Sequence, residues 1–143
     1  MLSNSAKYAL KAVLFLAIHS NEENRVMVKD IAQPINVPQA YIAKLLQELS
    51  KQDLISSARG INGGFYLTEL NLKQPIIEVI YAIDGRHKLH SCLLSLDNCN
   101  EHFPCPLHFL ANPMRSNLVA SLNSKTIEDL ASEITSGSTF LPL

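Results

Sequence analysis

The stretch from residue 28 to residue 68 constrains the fold of this chain more than any other. A short segment with apolar spacing, 28–32, is followed by a tight turn at 35–37 and by a second segment whose apolar residues recur at steps of three and four. That spacing predicts an amphipathic helix, and a proline such as Pro38 suits its first position, where the missing amide proton costs nothing. Two short helices joined by a tight turn form a helix-turn-helix, whose second helix enters the major groove of DNA. The apolar positions of the second helix are Ile42, Leu45, Leu46 and Leu49.

Two further expectations follow from this segment. Pro34 is expected to end the first helix, because the residue before a proline avoids the helical region. Polar side chains of the second helix lie off its apolar stripe and are candidate contacts to base edges or phosphates. Those candidates are Gln39, Tyr41, Lys44 and Lys51.

A hairpin is predicted directly after the helix-turn-helix. Two strand-like runs, 54–57 and 65–68, flank a segment that contains Asn62-Gly63, and Asn-Gly closes hairpins because both residues tolerate positive φ. A helix-turn-helix followed by a hairpin is a winged helix. Arg59 near the tip of the wing is predicted to enter the minor groove, where the negative potential favours guanidinium; the alternative is a solvated loop arginine.

The remaining helices give the outline of the fold. A first amphipathic helix is predicted over 5–19, another follows Pro75 and ends at Asp84-Gly85, and Thr126 is a good N-cap for a short last helix. A long apolar helix comes between them, and Pro113 implies either a kink in it or its start. This helix pairs with its copy in a second subunit or packs on its own N-terminal helix, and periodicity leaves both open. Its stripe is Leu107, Leu110, Met114, Leu118 and Leu122.

The predicted fold class is therefore mainly α with a small β-hairpin: a winged helix-turn-helix plus a long C-terminal dimerisation helix. We divide the chain into a DNA-binding domain at 1–84, a cysteine-rich loop at 85–106, and a part at 107–143 that holds the dimerisation helix, a short helix and a tail.

All three cysteines of the chain fall in one short segment. Cys92, Cys99 and Cys105 are separated by six and five residues, and His108 follows closely. Thiolates are soft ligands for zinc, copper(I) or iron–sulfur iron, and imidazole can complete the same shell. Three of three cysteines in one loop therefore favour a metal-closed loop over cysteines that act as small buried hydrophobes.

Length and composition exclude some classes of protein. A chain of 143 residues fits one ordinary domain, and no apolar run is long enough to span a membrane. The run 9–18 is interrupted by Lys11 and no small-residue cleavage site follows it, so an export signal is not expected. We therefore expect a cytoplasmic, reducing location, in which a disulfide is a poor explanation for the cysteines.

The charge is uneven along the chain although the net charge is only −1. Residues 1–75 carry eight basic against six acidic side chains, and residues 76–143 carry four against seven. This asymmetry mildly favours an N-terminal surface for a polyanion.

Taken together, the chain resembles the IscR/NsrR-type (Rrf-two) family of bacterial winged-helix transcriptional regulators over essentially its whole length. The matching features are the opening KYAL at 7–10, the helix-turn-helix through Tyr41 and Leu45-Leu46, the wing from Arg59-Gly60 to Gly63-Gly64, the Asp84-Gly85 helix end, the three-cysteine loop, and TIEDL at 126–130.

The resemblance implies a homodimer that binds double-stranded DNA through two winged helices, and a twofold dimer demands an inverted-repeat operator. It also implies that the three cysteines hold an iron–sulfur cluster. In the cluster-assembly branch the fourth ligand is a histidine three positions after the last cysteine, which here is His108. In nitric-oxide-sensing relatives a carboxylate from the partner's N-terminal helix can serve, but the matching residue is Lys7, which cannot ligate while protonated. Histidine ligation suits a two-iron, two-sulfur cluster.

The chain departs from the family pattern at two places. The gap between the first two cysteines is one residue longer than in the assembly regulator. In the second helix of the helix-turn-helix, Pro38, Ala40 and Ala43 stand where that relative is polar. The operator sequence of that relative therefore cannot be carried over.

The leading hypothesis is a transcriptional regulator that senses redox state, iron or nitric oxide through a cluster held by Cys92, Cys99, Cys105 and His108. The alternative is a regulator of the same fold with a zinc site or no metal, switched by thiol oxidation or a small ligand. An enzyme that uses Cys105 and His108 as nucleophile and base is not expected, because no orienting acid, oxyanion loop or substrate cleft is identifiable.

Overall fold

A computed structural model describes residues 2–94 and 99–143. Within these residues the chain forms seven α-helices, one short 3-10 helix and one two-stranded antiparallel hairpin. The predicted fold class is confirmed. The elements are α1 (Asn4–His19), α2 (Val28–Ile35), α3 (Gln39–Lys51), β1 (Ser56–Ala58), β2 (Gly64–Tyr66), α4 (Glu69–Leu72), α5 (Ile77–Asp84), the 3-10 helix (Lys88–His90), α6 (His108–Ser124) and α7 (Ile127–Thr135).

The main core lies among α1, α2, α3, α5 and the start of α7. The predicted stripe of α3 is buried, and it meets apolar side chains of α1 and α2 that also exclude water. A fully buried Leu or Ile side chain contributes about 1.5–3 kcal/mol, so this packing fixes α3 relative to the rest of the helix-turn-helix. Central members are Val13, Leu16, Ile31, Ile42, Leu46, Leu49 and Val79.

The prediction that Pro34 ends α2 is wrong, because the helix continues to Ile35. The missing amide of Pro34 leaves only the Asp30 carbonyl without its helical partner, and Asp30 is exposed, so water can satisfy that carbonyl. The helix ends where Asn36 adopts the left-handed conformation and its N–H reaches the carbonyls of Ala32 and Gln33.

The wing is shorter than predicted and is joined by a third segment. Its strands cover Ser56–Ala58 and Gly64–Tyr66, while the apolar residues at the strand bases, such as Leu54, belong to the core. Val26 pairs with Phe65 through two backbone hydrogen bonds of 2.8 Å. A Cβ on Gly64 would lie 2.8 Å from the Val26 carbonyl oxygen, so glycine is required for this close approach.

Helix α6 begins at His108, which excludes a helix start at Pro113. The C-terminal end of its predicted stripe is packed within the chain, since Leu122 and the neighbouring Val119 contact a cluster that contains Ile77, Ile80 and Leu89. The near end is open to solvent: Leu110 is 70% exposed and Met114 is 74% exposed. The stripe is therefore divided between internal packing and a free surface.

Helix α7 starts at the predicted N-cap. The Thr126 hydroxyl accepts from the Asp129 N–H, and Asp129 accepts from the Thr126 N–H. Hydrogen bonding to the carboxyl by Thr126, first by its backbone N–H and then by its side chain, holds the pKa of Asp129 below its usual value. Ile127 is fully buried in the main core, so the last helix packs on the winged helix.

Candidate nucleic-acid interface and cysteine site

A groove of 660 Å³ lies between α3 and the wing. It is lined by Gln39 and Lys51 from α3 and by Arg59 from the wing. Three of the five predicted DNA contacts therefore share one surface. Lys29, which the sequence patterns did not single out, lines the same groove from the first turn of α2, so three of the lining side chains are basic.

Tyr41 and Lys44 lie on α3 but do not line this groove. Lys44 is exposed. The Tyr41 hydroxyl lies 2.6 Å from the Ser5 hydroxyl, and its ring packs edge-on against Tyr8 with the centroids 5.9 Å apart. Tyr41 therefore links α3 to α1, although it keeps 37% of its surface exposed.

Arg25 holds the wing from outside the hairpin. Its Nη1 donates to the Asn62 carbonyl at 3.2 Å, and its guanidinium lies 5.3 Å from the centre of the Tyr66 ring. A guanidinium over an aromatic face is attracted by the ring quadrupole. Arg25 was missed at the level of sequence, because the hydrogen bond spans 37 residues and no local pattern predicts it.

The start of α1 is hydrogen-bonded to the end of α5. The Asp84 carboxylate accepts from both the backbone N–H and the hydroxyl of Ser3. Ser3 is the N-cap of α1, whose hydroxyl also accepts from the Ala6 N–H. Asp84 ends α5 just before the cysteine loop, so these hydrogen bonds tie the residue that precedes the loop to the N-terminus of α1.

The first pair of predicted ligands is Cys92 and Cys105. Their Sγ atoms are 3.5 Å apart. Cys92 is 6% exposed and follows the 3-10 helix, whose Leu89 is buried between α5 and α6. Packing of that short helix therefore holds the Cys92 side of the pair.

The second pair is Cys99 and His108. The Cys99 Sγ lies 3.0 Å from His108 Nδ1, and it also lies 3.7 Å from Nη1 of Arg115. His108 is 4% exposed at the first turn of α6, and its N–H donates to the Cys105 carbonyl at 3.0 Å. That turn connects the two pairs. Arg115 was not predicted, since the sequence does not show which face of α6 meets the loop.

The four side chains form two pairs rather than one shell. No three His, Cys, Asp or Glu side chains in the described part of the chain surround a single metal position. Two thiolates on one tetrahedral ion, at about 2.3 Å each, would be about 3.8 Å apart, which the Cys92–Cys105 pair approaches. In a two-iron, two-sulfur cluster each iron takes two protein ligands, so the donor set fits such a cluster pair by pair.

The other histidines near the loop have different surroundings. His90 Nε2 lies 3.4 Å from the Tyr81 hydroxyl, and the His87 ring lies against Gly85. His102 is exposed. Lys7, which the resemblance aligns with a carboxylate ligand, is exposed on α1.

Comparison with known proteins now identifies the family. The family model Rrf2, described as an iron-dependent transcriptional regulator, matches residues 2–133. The chain belongs to the Rrf2 family. The predicted resemblance is therefore confirmed, and with it the expectation that the chain is a DNA-binding transcriptional regulator and not an enzyme.

Individual Rrf2-family relatives agree with this identification. A protein of Aquifex aeolicus, provisionally described as an HTH-type transcriptional regulator, is 32% identical, with 91% of this chain and 90% of the relative covered. The regulator IscR of Photorhabdus laumondii is 30% identical, with 90% and 77% covered. The structure of CymR, the global cysteine regulator of B. subtilis, superimposes with a TM-score of 0.71 at 26% identity, covering 92% of this chain and 96% of CymR.

The length and apolar character of the helices were also compared with what a membrane-spanning helix needs. Among residues 2–94 and 99–143, no helix combines the length and the apolar character needed to cross a bilayer.

Proposed function

We propose that this Rrf2-family chain senses redox state, iron or nitric oxide through a two-iron, two-sulfur cluster held by Cys92, Cys99, Cys105 and His108. The observation that carries the proposal is the arrangement of these side chains as two close pairs. One zinc ion would need all four donors around a single point. The iron dependence in the description of the family model supports the same choice.

The chain's own residues would hold the cluster from two elements. Cys92 is fixed behind the 3-10 helix, and His108 is fixed at the start of α6; both are buried. Cys99 and Cys105 are more exposed and belong to the intervening loop. When bound, the cluster supplies a one-electron redox centre whose potential depends on its ligands and their hydrogen bonds.

A route from this loop to the DNA-binding helix supports regulation. Asp84, which precedes the loop, accepts hydrogen bonds from Ser3 at the start of α1. Two residues further on, Ser5 contacts Tyr41 of α3. A change in the loop that moves Asp84 would therefore be passed to α3 through the first turn of α1. Such coupling requires that the cluster binds the two arrangements with different free energies.

We further propose that the chain acts as a homodimer on an inverted-repeat operator, in the cytoplasm. Phe109, Leu110 and Met114 on α6 are each at least 70% exposed, which leaves an apolar surface for the α6 of a second copy. A twofold dimer presents two α3 helices and two wings, and its half-sites lie about one helical turn, or a multiple of it, apart.

The second candidate function is a thiol switch without a cluster. Cys92 and Cys105 would need to approach only about 1.5 Å further to reach disulfide bonding distance. The similarity to CymR, described as a cysteine regulator, favours regulation linked to thiols. In this alternative, the signal that changes the loop would be oxidation of the Cys92–Cys105 pair rather than loss of a cluster.

Anaerobic purification followed by iron, sulfide and zinc analysis tests the proposal. We expect about two irons and about two sulfides per chain, with visible absorption that air bleaches. One zinc per chain without sulfide, or colourless metal-free protein that still binds DNA only in one thiol state, would support the alternative and contradict the cluster.

A further inference from the structure

Arg115 places a positive charge within hydrogen-bond distance of Cys99, a proposed cluster ligand. It follows His108 by two turns of α6, so both side chains project from the same face of the helix. Both reach the same sulfur: Cys99 Sγ lies 3.0 Å from His108 Nδ1 and 3.7 Å from Arg115 Nη1. One helix face therefore presents a ligand and a positive charge to one thiol.

We propose that Arg115 raises the reduction potential of the cluster by holding a permanent positive charge and an N–H donor against the Cys99 ligand. The inference rests on the proposed function and makes it more specific. Uptake of one electron adds one negative charge to the cluster, so a nearby cation stabilises the reduced form more than the oxidised form. Hydrogen bonds to cluster sulfurs and local net charge act on the potential in this way. The guanidinium stays charged at every physiological pH.

The surroundings of Arg115 provide a matched control. Cys99 and Arg115 line a cavity of 570 Å³ between α5 and α6, and Arg86 lines it as well. Arg86 instead pairs with Glu78 at 3.4 Å and stacks over the Tyr81 ring at 4.5 Å. Its side chain is 72% exposed, so water screens its charge. Removing Arg86 changes the formal charge of the cavity equally but leaves the hydrogen bond from Arg115 to Cys99 in place.

The test compares wild type, Arg115→Gln, Arg115→Lys and Arg86→Gln, each loaded with ferrous iron and sulfide without air. Iron and sulfide contents are measured first. The midpoint potential is then measured by dithionite titration against redox dyes, with visible absorption as the readout. We expect Arg115→Gln to shift to a more negative potential, Arg115→Lys to keep most of the wild-type value, and Arg86→Gln to match wild type.

Equal potentials for Arg115→Gln and wild type, with intact clusters, would overturn the inference. So would an equal shift in Arg86→Gln, because the effect would then reflect overall charge. If Arg115→Gln does not load, Arg115→Lys decides: loading at a potential near wild type supports the role of the charge, and failure to load contradicts it. A wild-type protein that takes up no iron and sulfide contradicts the proposed function itself, before any variant is compared.

Discussion

At the residue scale, His108 is the side chain on which the choice of fourth ligand depends. It is a buried polar residue whose Nδ1 faces Cys99, and burying a polar group without a partner is costly. We expect His108→Ala to give a cluster with altered visible absorption that is released faster in air, because one iron is deprived of its imidazole ligand. Absorption spectra and iron release over time measure this.

His102→Ala is the matched control, because His102 belongs to the same loop but is exposed. Its spectrum and its iron release should equal those of wild type. An unchanged spectrum in His108→Ala would remove the histidine from the ligand set and would require another fourth ligand.

Residue types and spacing were sufficient to select the ligand candidates, but not their pairing. The three-residue step from Cys105 to His108 places them in one hydrogen-bonded turn, yet the thiol beside the imidazole is Cys99, nine residues away. That contact depends on how the loop folds back onto α6, which local patterns do not encode. The approach of Arg115 to Cys99 escaped prediction for the same reason.

At the element scale, the wing is contacted by Arg25, a side chain outside the hairpin. We expect Arg25→Gln to increase backbone hydrogen exchange at 59–65, because the substitution removes both the hydrogen bond to the Asn62 carbonyl and the stacking on Tyr66. Mass-spectrometric exchange on the protein without DNA measures this.

Glu23→Gln, an exposed substitution in the same loop, should leave exchange in the wing unchanged. Wild-type exchange in Arg25→Gln would mean that the Val26–Phe65 pairing alone positions the wing.

The elements themselves were largely predictable, and the errors have physical causes. The α3 stripe and the Thr126 cap were predicted correctly, since each is set by residues close in sequence. The predicted end of α2 was wrong because an exposed carbonyl tolerates the absence of one helical hydrogen bond. The helix ends instead at Asn36. The observed bounds of the first strand differ from the predicted ones because Leu54 and Ile55 are buried in the core and do not belong to the hairpin.

At the scale of the whole molecule, the exposed N-terminal end of the α6 stripe is the surface through which we expect two copies of the chain to associate. Met114→Glu places a charge on this exposed apolar surface, and we expect monomers or aggregates where wild type is a dimer. Sedimentation of the metal-free and loaded forms measures this.

Asn123→Glu provides the control, because Asn123 is exposed half a turn around α6 from Met114; it should remain dimeric. A monomeric wild type would mean that the apolar surface does not serve self-association.

We expect DNA recognition to combine the wing with the groove beside α3. The DNA for this test is a duplex that the wild-type protein selects from random sequences. On it, Arg59→Ala should weaken binding most where the flanks are A·T-rich, because a narrow minor groove attracts guanidinium. Lys51→Ala should weaken binding evenly and reduce the slope of the salt dependence by about one unit for each phosphate that is no longer neutralised in a half-site. Titrations at several salt concentrations measure both. Equal weakening for Arg59→Ala on A·T-rich and G·C-rich flanks would mean that Arg59 only neutralises phosphate.

The division into 1–84, 85–106 and 107–143 stays a prediction, and the packing shows how closely these parts are connected. Ile127 of α7 lies in the core of the winged helix, and Val119 and Leu122 of α6 pack against α5. Sequence periodicity identified each stripe but not its partner, because one apolar face fits an internal helix and a second subunit equally well.

The most direct test of the proposed cluster is the Mössbauer spectrum of iron-enriched protein purified without air. Because the proposed ligands form one Cys–Cys pair and one Cys–His pair, we predict two ferric sites of equal area, of which His108→Ala changes only one. A single type of iron site that His108→Ala leaves unchanged, or a protein that binds no iron, would contradict the proposal.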